Sequence, residues 1–273
     1  MNLQNFIYGT AWKGENTEKF TYQALKEGLC TIDTANQRRH YYEAGVGNAL
    51  KKAFDEKLIK REDVFLQTKY TFVEGQDVDE YLPYNPNDSI VQQVHQSFTS
   101  SLAHLGVETI DSYVLHGPKL GFGITDDDVD AWETISSLKQ DGKVKLIGVS
   151  NFSLEQLEEL VAATNIYPQI VQNRCYPSIQ WNSKVRHWCL ESDIVYQGFN
   201  LQRDPLLYNS EFIRLLCQKY QVPINTLIYS FALQAGIQPL TGARDVKHLQ
   251  ENLRARNDLL EQQDFLTIEA VEF

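Results

Sequence analysis

The stretch Phe6-Ile7-Tyr8-Gly9-Thr10-Ala11-Trp12-Lys13-Gly14 decides between the two large α/β folds. Its start, Phe6–Tyr8, has the brief apolar character of a parallel strand covered on its outer face by helices. A doubly wound nucleotide-binding sheet follows its first strand with Gly-x-Gly-x-x-Gly, where the backbone must turn tightly and approach a pyrophosphate. Here Gly9, Ala11 and Gly14 depart from that spacing, which favours the rival solution, a parallel barrel.

Outward from that first strand, seven more short apolar runs follow: Thr31–Thr34, Val64–Lys69, Ser112–His116, Leu146–Val149, Ile170–Gln172, Ile194–Gln197 and Pro239–Thr241. Helix signals separate them. Thr17 is a cap residue for a helix ending near Gly28, and Asp88 or Ser89 for one ending at Gly106. Asp126–Asp128 put negative charge where a helix N-terminus favours it, before the apolar stripe Trp132, Ile135 and Leu138. Ser153-Leu154-Glu155-Gln156 is a capping-box pattern, Pro223 suits a first turn, and Asp245 starts a late helix. Eight strands alternating with helices predict an α/β fold, a single (β/α)8 TIM barrel occupying residues 1–273 as one domain. The Gly-, Pro-, Asp- and Asn-rich segment Tyr70–Asn87 follows the third strand, so a barrel carries it over the active-site face.

The chain's net charge of −11 argues against a nucleic-acid-binding surface; an anionic cofactor would need a local basic pocket. Cys30, Cys175, Cys189 and Cys217 form no C-x-x-C pair and read as buried thiols in a reducing compartment. Asn2-Leu3-Gln4-Asn5 lacks the charged-then-apolar start of a leader, and no run approaches a membrane span. The expectation is a cytoplasmic protein without membrane or nucleic-acid partners, its oligomeric state open. The six histidines include no His-x-His or His-x-x-x-His pair, so no metal site is expected.

In a barrel, polar groups at the C-terminal ends of strands carry the chemistry. Asp33, Lys69 and His116 stand at three successive strand ends, with Tyr41 and Tyr42 just after the second strand. Alone, each has an ordinary structural reading: a cap, a solvated lysine, a turn donor. Together they suit carbonyl reduction, which needs a hydride and a proton on oxygen. A tyrosine supplies the proton, a neighbouring Lys⁺ lowers its pKa from about 10, a buried Asp holds the ammonium, and a histidine orients the oxygen.

Asp33-Thr34-Ala35, Arg61–Lys69, Asp111-Ser112-Tyr113-Val114-Leu115-His116 and Gly148-Val149-Ser150-Asn151-Phe152, in this order, resemble the aldo-keto reductases, over Gly9 to about Asn252. The resemblance implies an NAD(P)H-dependent oxidoreductase acting on a small carbonyl substrate, with Asp33, a tyrosine, Lys69 and His116 as its tetrad. The tyrosine's usual register falls at Arg38 counted from Asp33 and at His40 counted back from Glu43. Tyr41 is the favoured donor and Tyr42 the second; if neither reaches, His40 or His116 is the acid, or the enzyme is impaired. Gly117 stands where relatives often carry tryptophan after His116, which widens the pocket; Trp12 is an apolar wall for the substrate or a structural aromatic.

By the same resemblance Ser150, Asn151 and Gln172 bind the nicotinamide carboxamide, and Phe199 stacks on its ring. Arg244 clamps the 2′-phosphate of NADPH, and His248 and Asn252, one helical turn apart, face the adenine. Arginine is frequent in relatives where His248 stands, so NADH is also possible. The segment after Asn252 is read as helical, with a C-terminal substrate lid short or absent. The second functional reading is a catalytically weak barrel that binds nicotinamide cofactor as a sensor or binding subunit.

Overall fold

The computed structural model describes residues 5–273; the reading of Asn2-Leu3-Gln4 falls outside the described residues. The order is β1 (Ile7–Gly9), α1 (Thr17–Lys26), β2 (Thr31–Asp33), α2 (Glu43–Asp55), β3 (Phe65–Tyr70), α3 (Ile90–Leu105), β4 (Ile110–Leu115), α4 (Asp126–Gln140), β5 (Val144–Ser150), α5 (Leu154–Thr164) and β6 (Ile170–Arg174). It continues with α6 (Ser183–Glu191), β7 (Val195–Phe199), α7 (Pro205–Asn209), α8 (Glu211–Tyr220), α9 (Ile224–Gln234), β8 (Gln238–Thr241), α10 (Val246–Leu253) and α11 (Gln262–Glu269). The strands pair in sequence order into a closed barrel, so the (β/α)8 architecture expected from the strand–helix alternation is present. Each expected strand is found, displaced by no more than a few residues at its ends.

By internal packing the described chain falls into two compact units, residues 8–171 and residues 5–7 with 172–273. In the first, register does the positioning. Asp33 of β2 pairs with Gln67 of β3, while Lys69 pairs with Val114 and Tyr70 with Leu115 of β4. Side chains alternate along a strand, so Gln67 and Lys69 project to the same side, both towards Asp33. One step beyond Tyr70 and Leu115, Thr71 faces His116. Gly148 is required in β5, because a Cβ there would lie 2.6 Å from the Ile170 carbonyl oxygen.

The helices close against this sheet through the stripes seen in the sequence: Trp132, Ile135 and Leu138 are all fully buried. Ser89 with Gln92, Thr125 with Asp128 and Ser153 with Gln156 form capping boxes, and Gly106 ends α3 at φ +64. Thr17 is not a cap. A short 3-10 turn, Gly14–Asn16, precedes α1; Asn16 takes the N-cap position and the Thr17 hydroxyl donates to the Gly14 carbonyl at 2.7 Å.

At the opposite, N-terminal end of the strands Asp111 is held by Arg61 (2.8 Å), Lys145 (2.6 Å) and the Leu66 amide (3.0 Å). The charges there have a structural purpose, tying β3, β4 and β5 together below the chemistry. In the second unit Trp181 packs on Phe231, with ring centroids 4.7 Å apart. Its indole N–H donates to the Ile268 carbonyl at 2.8 Å, fastening α11. The four cysteines are free thiols, and Cys30, Cys175 and Cys189 are buried. None of the described helices is long and apolar enough to cross a membrane.

Candidate active site

Lys69 lies at the end of β3 with no exposed surface. An isolated buried ammonium is very costly, so its partners matter. Nζ donates to Asp33 Oδ1 at 2.6 Å and to the Thr34 carbonyl at 2.8 Å; Gln67 Nε2 donates to the same Asp33 oxygen at 2.8 Å. Burial pulls the Lys69 ammonium below its ordinary value, and the Asp33 carboxylate opposes that pull. The result is a buried pair of fixed position and nearly zero net charge.

Tyr41 and His116 stand over this pair. Lys69 Nζ lies 5.3 Å from the centre of the Tyr41 ring, and the Tyr41 and His116 rings meet edge-on with centroids 5.6 Å apart. Tyr41 is therefore the tyrosine gathered with Asp33, Lys69 and His116. Tyr42 turns elsewhere: it stands at the N-cap position of α2 without a side-chain capping bond, and the Arg38 guanidinium stacks 4.4 Å from its ring centre. One expectation is corrected. The Tyr41 phenol is pushed up rather than down, by burial first and the Asp33 carboxylate second. With no substrate bound, burial and the Asp33 charge outweigh the pull of the ammonium, which Asp33 and the Thr34 carbonyl hold in place. Tyr41 is consequently a phenol that keeps its proton until a base appears beside it.

His116 is pulled well below the ordinary histidine value, by burial first and then by the charges of Lys69 and His40. It is a neutral imidazole, suited to orienting an oxygen rather than to carrying the proton. Its Nδ1 sits 2.7 Å from the Thr71 hydroxyl, and its carbonyl accepts from Asn151 Nδ2 at 2.8 Å. His40, also lowered by burial and by Arg39, lies against Trp12 with ring centroids 3.8 Å apart. Trp12 has φ +61 and is 65% exposed, an indole held out at the edge rather than packed in the core.

Ser150 ends β5, and Asn151 follows at φ +62 with Nδ2 also donating to Ser150 Oγ at 3.1 Å. In the second unit, Gln172 is buried and donates to Gln197 at 2.9 Å, which donates in turn to Gln238 at 3.1 Å. Phe199, half-buried at the end of β7, has the Arg174 guanidinium 5.7 Å from its ring centre. Arg244 is exposed in the loop before α10. Asp245 caps that helix by accepting from the His248 amide at 3.1 Å, and His248 itself is exposed. Asn252 is buried: Nδ2 donates to Thr241 at 2.9 Å, while Oδ1 has no hydrogen-bond partner among the described residues. A buried acceptor left open is costly, and this one suits an amino group brought by a ligand.

Residues 7–201 match the model of the Aldo/keto reductase family. The chain belongs to that family. With it, the chain belongs to the oxidoreductases. It is 27% identical to the uncharacterized oxidoreductase YtbE of Bacillus subtilis over 91% of this chain and 81% of that one. It is 26% identical to the methylglyoxal reductase DkgA of Yersinia pestis, over 93% of this chain and 83% of that one. The solved aldo-keto reductase of Bombyx mori, in complex with NADP, shares the fold at TM-score 0.82 and 21% identity, covering 98% of this chain and 89% of that one.

Within this aldo-keto reductase, several groups at the site escaped the sequence reading. Gln67 and the Thr34 carbonyl share in holding the pair; the β2–β3 register was the signal for the first, and backbone carbonyls leave none. Thr71 was hidden in a segment read only as a loop. Its segment folds back on the strand ends: Tyr84 Oη donates to the Thr71 carbonyl at 2.6 Å, and Gln76 Nε2 to the Asn36 carbonyl at 2.9 Å. In the second unit a cavity of about 230 Å³ at the ends of β6 and β7 is lined by Arg174, Asn200, Arg203 and Asp204. Its two guanidiniums supply local positive charge in a chain of net charge −11.

Proposed function

We propose that this chain, working as one barrel domain, reduces an aldehyde or ketone to the alcohol with NADPH, NADH being the alternative cofactor. The observation that carries the reading is the buried Lys69–Asp33 pair beneath a protonated Tyr41 and a neutral His116 at adjoining strand ends. When bound, the reduced nicotinamide supplies a hydride to the carbonyl carbon. Tyr41 Oη gives its proton to the carbonyl oxygen as negative charge develops there, and regains one from solvent afterwards. A phenol with a raised pKa resists giving up its proton, so His116 and the Lys69 charge must act as the oxygen turns basic. His116 orients the oxygen by a hydrogen bond; Lys69 stabilises the phenolate formed in passing. Trp12 forms an apolar wall for the substrate.

Ser150, Asn151 and Gln172 are assigned to the nicotinamide carboxamide, and Phe199 to its ring. Arg244 is assigned to the 2′-phosphate, for which a planar guanidinium is well matched, and His248 and Asn252 to the adenine. The unpartnered, buried Oδ1 of Asn252 supports that last assignment, since an exocyclic amino group would satisfy it. Arg174 and Arg203 add positive charge for the cofactor's phosphates.

The test is to mix the protein with NADPH and a panel of reactive aldehydes, methylglyoxal among them, and follow loss of cofactor absorbance. Turnover is expected. Tight NADPH binding with no turnover on any carbonyl would favour the second reading, a cofactor-binding sensor or binding subunit. That reading draws on one observation: no hydrogen bond joins the Tyr41 hydroxyl to Lys69 among the described residues, the ammonium facing the ring instead.

A further inference from the structure

We infer that Thr71 is a positioning residue for the reduction: its hydroxyl donates to His116 Nδ1 and so holds the imidazole in the tautomer that keeps its hydrogen on Nε2, the nitrogen offered to the carbonyl oxygen. The inference rests on the proposed role of His116 and adds the group that sets its hydrogen.

The geometry comes from the sheet. Tyr70 pairs with Leu115, and the His116 amide donates to the Tyr70 carbonyl at 2.9 Å. The ladder thereby brings Thr71 and His116 side by side just past the strand ends. Thr71 is buried, and among the described residues its hydroxyl has a single hydrogen-bond partner, His116 Nδ1, at 2.7 Å. A threonine hydroxyl can donate or accept, and a neutral imidazole carries one donor and one acceptor nitrogen. If Nδ1 carried the hydrogen, it would donate to Oγ1, and the buried hydroxyl hydrogen would have no acceptor among the described residues. Buried polar hydrogens are rarely left so. With the threonine donating, every polar atom of the contact is satisfied, and the imidazole hydrogen is on Nε2.

Three further contacts stop the threonine from turning away. Its carbonyl accepts from Tyr84 Oη at 2.6 Å and from Gln76 Nε2 at 3.3 Å. Its methyl faces Gly75, where an added Cβ would lie 2.7 Å from Cγ2. With the backbone tied and the methyl against the Val73–Gly75 turn, the hydroxyl is directed to His116. The segment after β3 therefore acts on the chemistry through one hydroxyl. Lys69, Tyr41 and His40 are the other titratable groups around this imidazole; none of them hydrogen-bonds Nδ1.

The experiment uses the full-length protein and its Thr71→Val and Thr71→Ser variants, with two readouts. Nitrogen NMR of ¹⁵N-histidine-labelled protein identifies which ring nitrogen of His116 bears hydrogen. Steady-state kinetics with NADPH and methylglyoxal separates kcat from KM. In the unmodified protein and in Thr71→Ser, Nδ1 should be bare and Nε2 protonated. Thr71→Val should show a mixture of tautomers or hydrogen on Nδ1. Its kcat should fall by about tenfold or more, within the usual contribution of a positioned proton-handling group, with NADPH affinity unchanged, and Thr71→Ser should restore it. Hydrogen on Nδ1 in the unmodified protein, or a Thr71→Val variant with unaltered tautomer or unaltered kcat, would overturn the inference. If the unmodified protein reduces no carbonyl, the reductase reading fails while the NMR arm still decides the tautomer.

Discussion

Replacing Lys69 with Met removes one partner of an ion pair that has no access to water, the two side chains being 0% and 2% exposed. Methionine retains a flexible apolar stem of similar length, so the change is chiefly electrostatic. The Asp33 carboxylate loses a contact at 2.6 Å and the Thr34 carbonyl loses its donor at 2.8 Å, while Gln67 stays on Asp33 Oδ1. Breaking a buried pair from one side costs about 3–5 kcal/mol, because a charge is left buried and uncompensated. Against a total stability of about 5–15 kcal/mol that is severe but survivable. With a denaturant slope of about 2.5 kcal/mol per molar, the urea midpoint should fall by about 1–2 M. The double variant Asp33→Asn/Lys69→Met removes both charges and should recover part of the loss, with a coupling of roughly 1–3 kcal/mol. Urea titrations by tryptophan fluorescence and far-ultraviolet circular dichroism measure the unmodified protein, Asp33→Asn, Lys69→Met and the double variant, and NADPH oxidation measures their turnover. Lys69→Met and the double variant should be folded and without turnover. A Lys69→Met protein with an unchanged midpoint, or strict additivity in the double variant, would refute the account of a buried, mutually dependent pair.

Three further outcomes follow from other parts of the molecule. Asp111→Ala removes the acceptor shared by Arg61, Lys145 and the Leu66 amide. It should lower stability by about 1–3 kcal/mol, the cost of leaving the buried Leu66 amide unpaired, with kcat at low temperature unaltered, since Asp111 lies at the end of the strands away from the site; a kcat loss in the folded variant contradicts this. The raised Tyr41 pKa keeps the donor protonated, so ultraviolet titration of the unmodified protein and of Tyr41→Phe should show no tyrosinate from Tyr41 below about pH 10, the ordinary phenol value; a tyrosinate signal lost in Tyr41→Phe below that pH would contradict it. His116 and His40 both have lowered pKa values in the folded state, so the unfolded chain binds more protons below about pH 6.5 and stability should drop as pH falls through that point. His116→Asn should flatten the drop, and an unchanged slope would remove His116 from that role.

The fold was legible because its signals are local and repeated. Short apolar runs mark every strand, and Ser89-x-x-Gln92 and Ser153-x-x-Gln156 mark helix starts that the structure keeps. Thr17 was misread because the same residue type serves as cap or as first helical residue, and only the preceding turn at Gly14–Asn16 distinguishes them. The strand-end residues Asp33, Lys69 and His116 were legible from position alone. The tyrosine was legible only as a preference for Tyr41 over Tyr42, since the loop Asn36–Tyr42 departs from the usual register and its fold is what turns Tyr41 inward and Tyr42 towards Arg38. The direction of the Tyr41 shift was also out of reach. It depends on how completely Asp33 and the Thr34 carbonyl engage the ammonium, which is a matter of distance rather than of residue type.

The most direct test compares Tyr41→Phe with Tyr42→Phe, each losing one hydroxyl and nothing else. NADPH affinity is measured by quenching of protein fluorescence, and reduction of methylglyoxal by loss of cofactor absorbance. Tyr41→Phe should bind NADPH as before and lose about a hundredfold or more in kcat, as expected for removal of the group that donates the proton. Tyr42→Phe should keep its activity, because Arg38 stacks on a ring that phenylalanine retains. An active Tyr41→Phe enzyme, or loss of turnover in Tyr42→Phe instead, would contradict the assignment of Tyr41 as the proton donor.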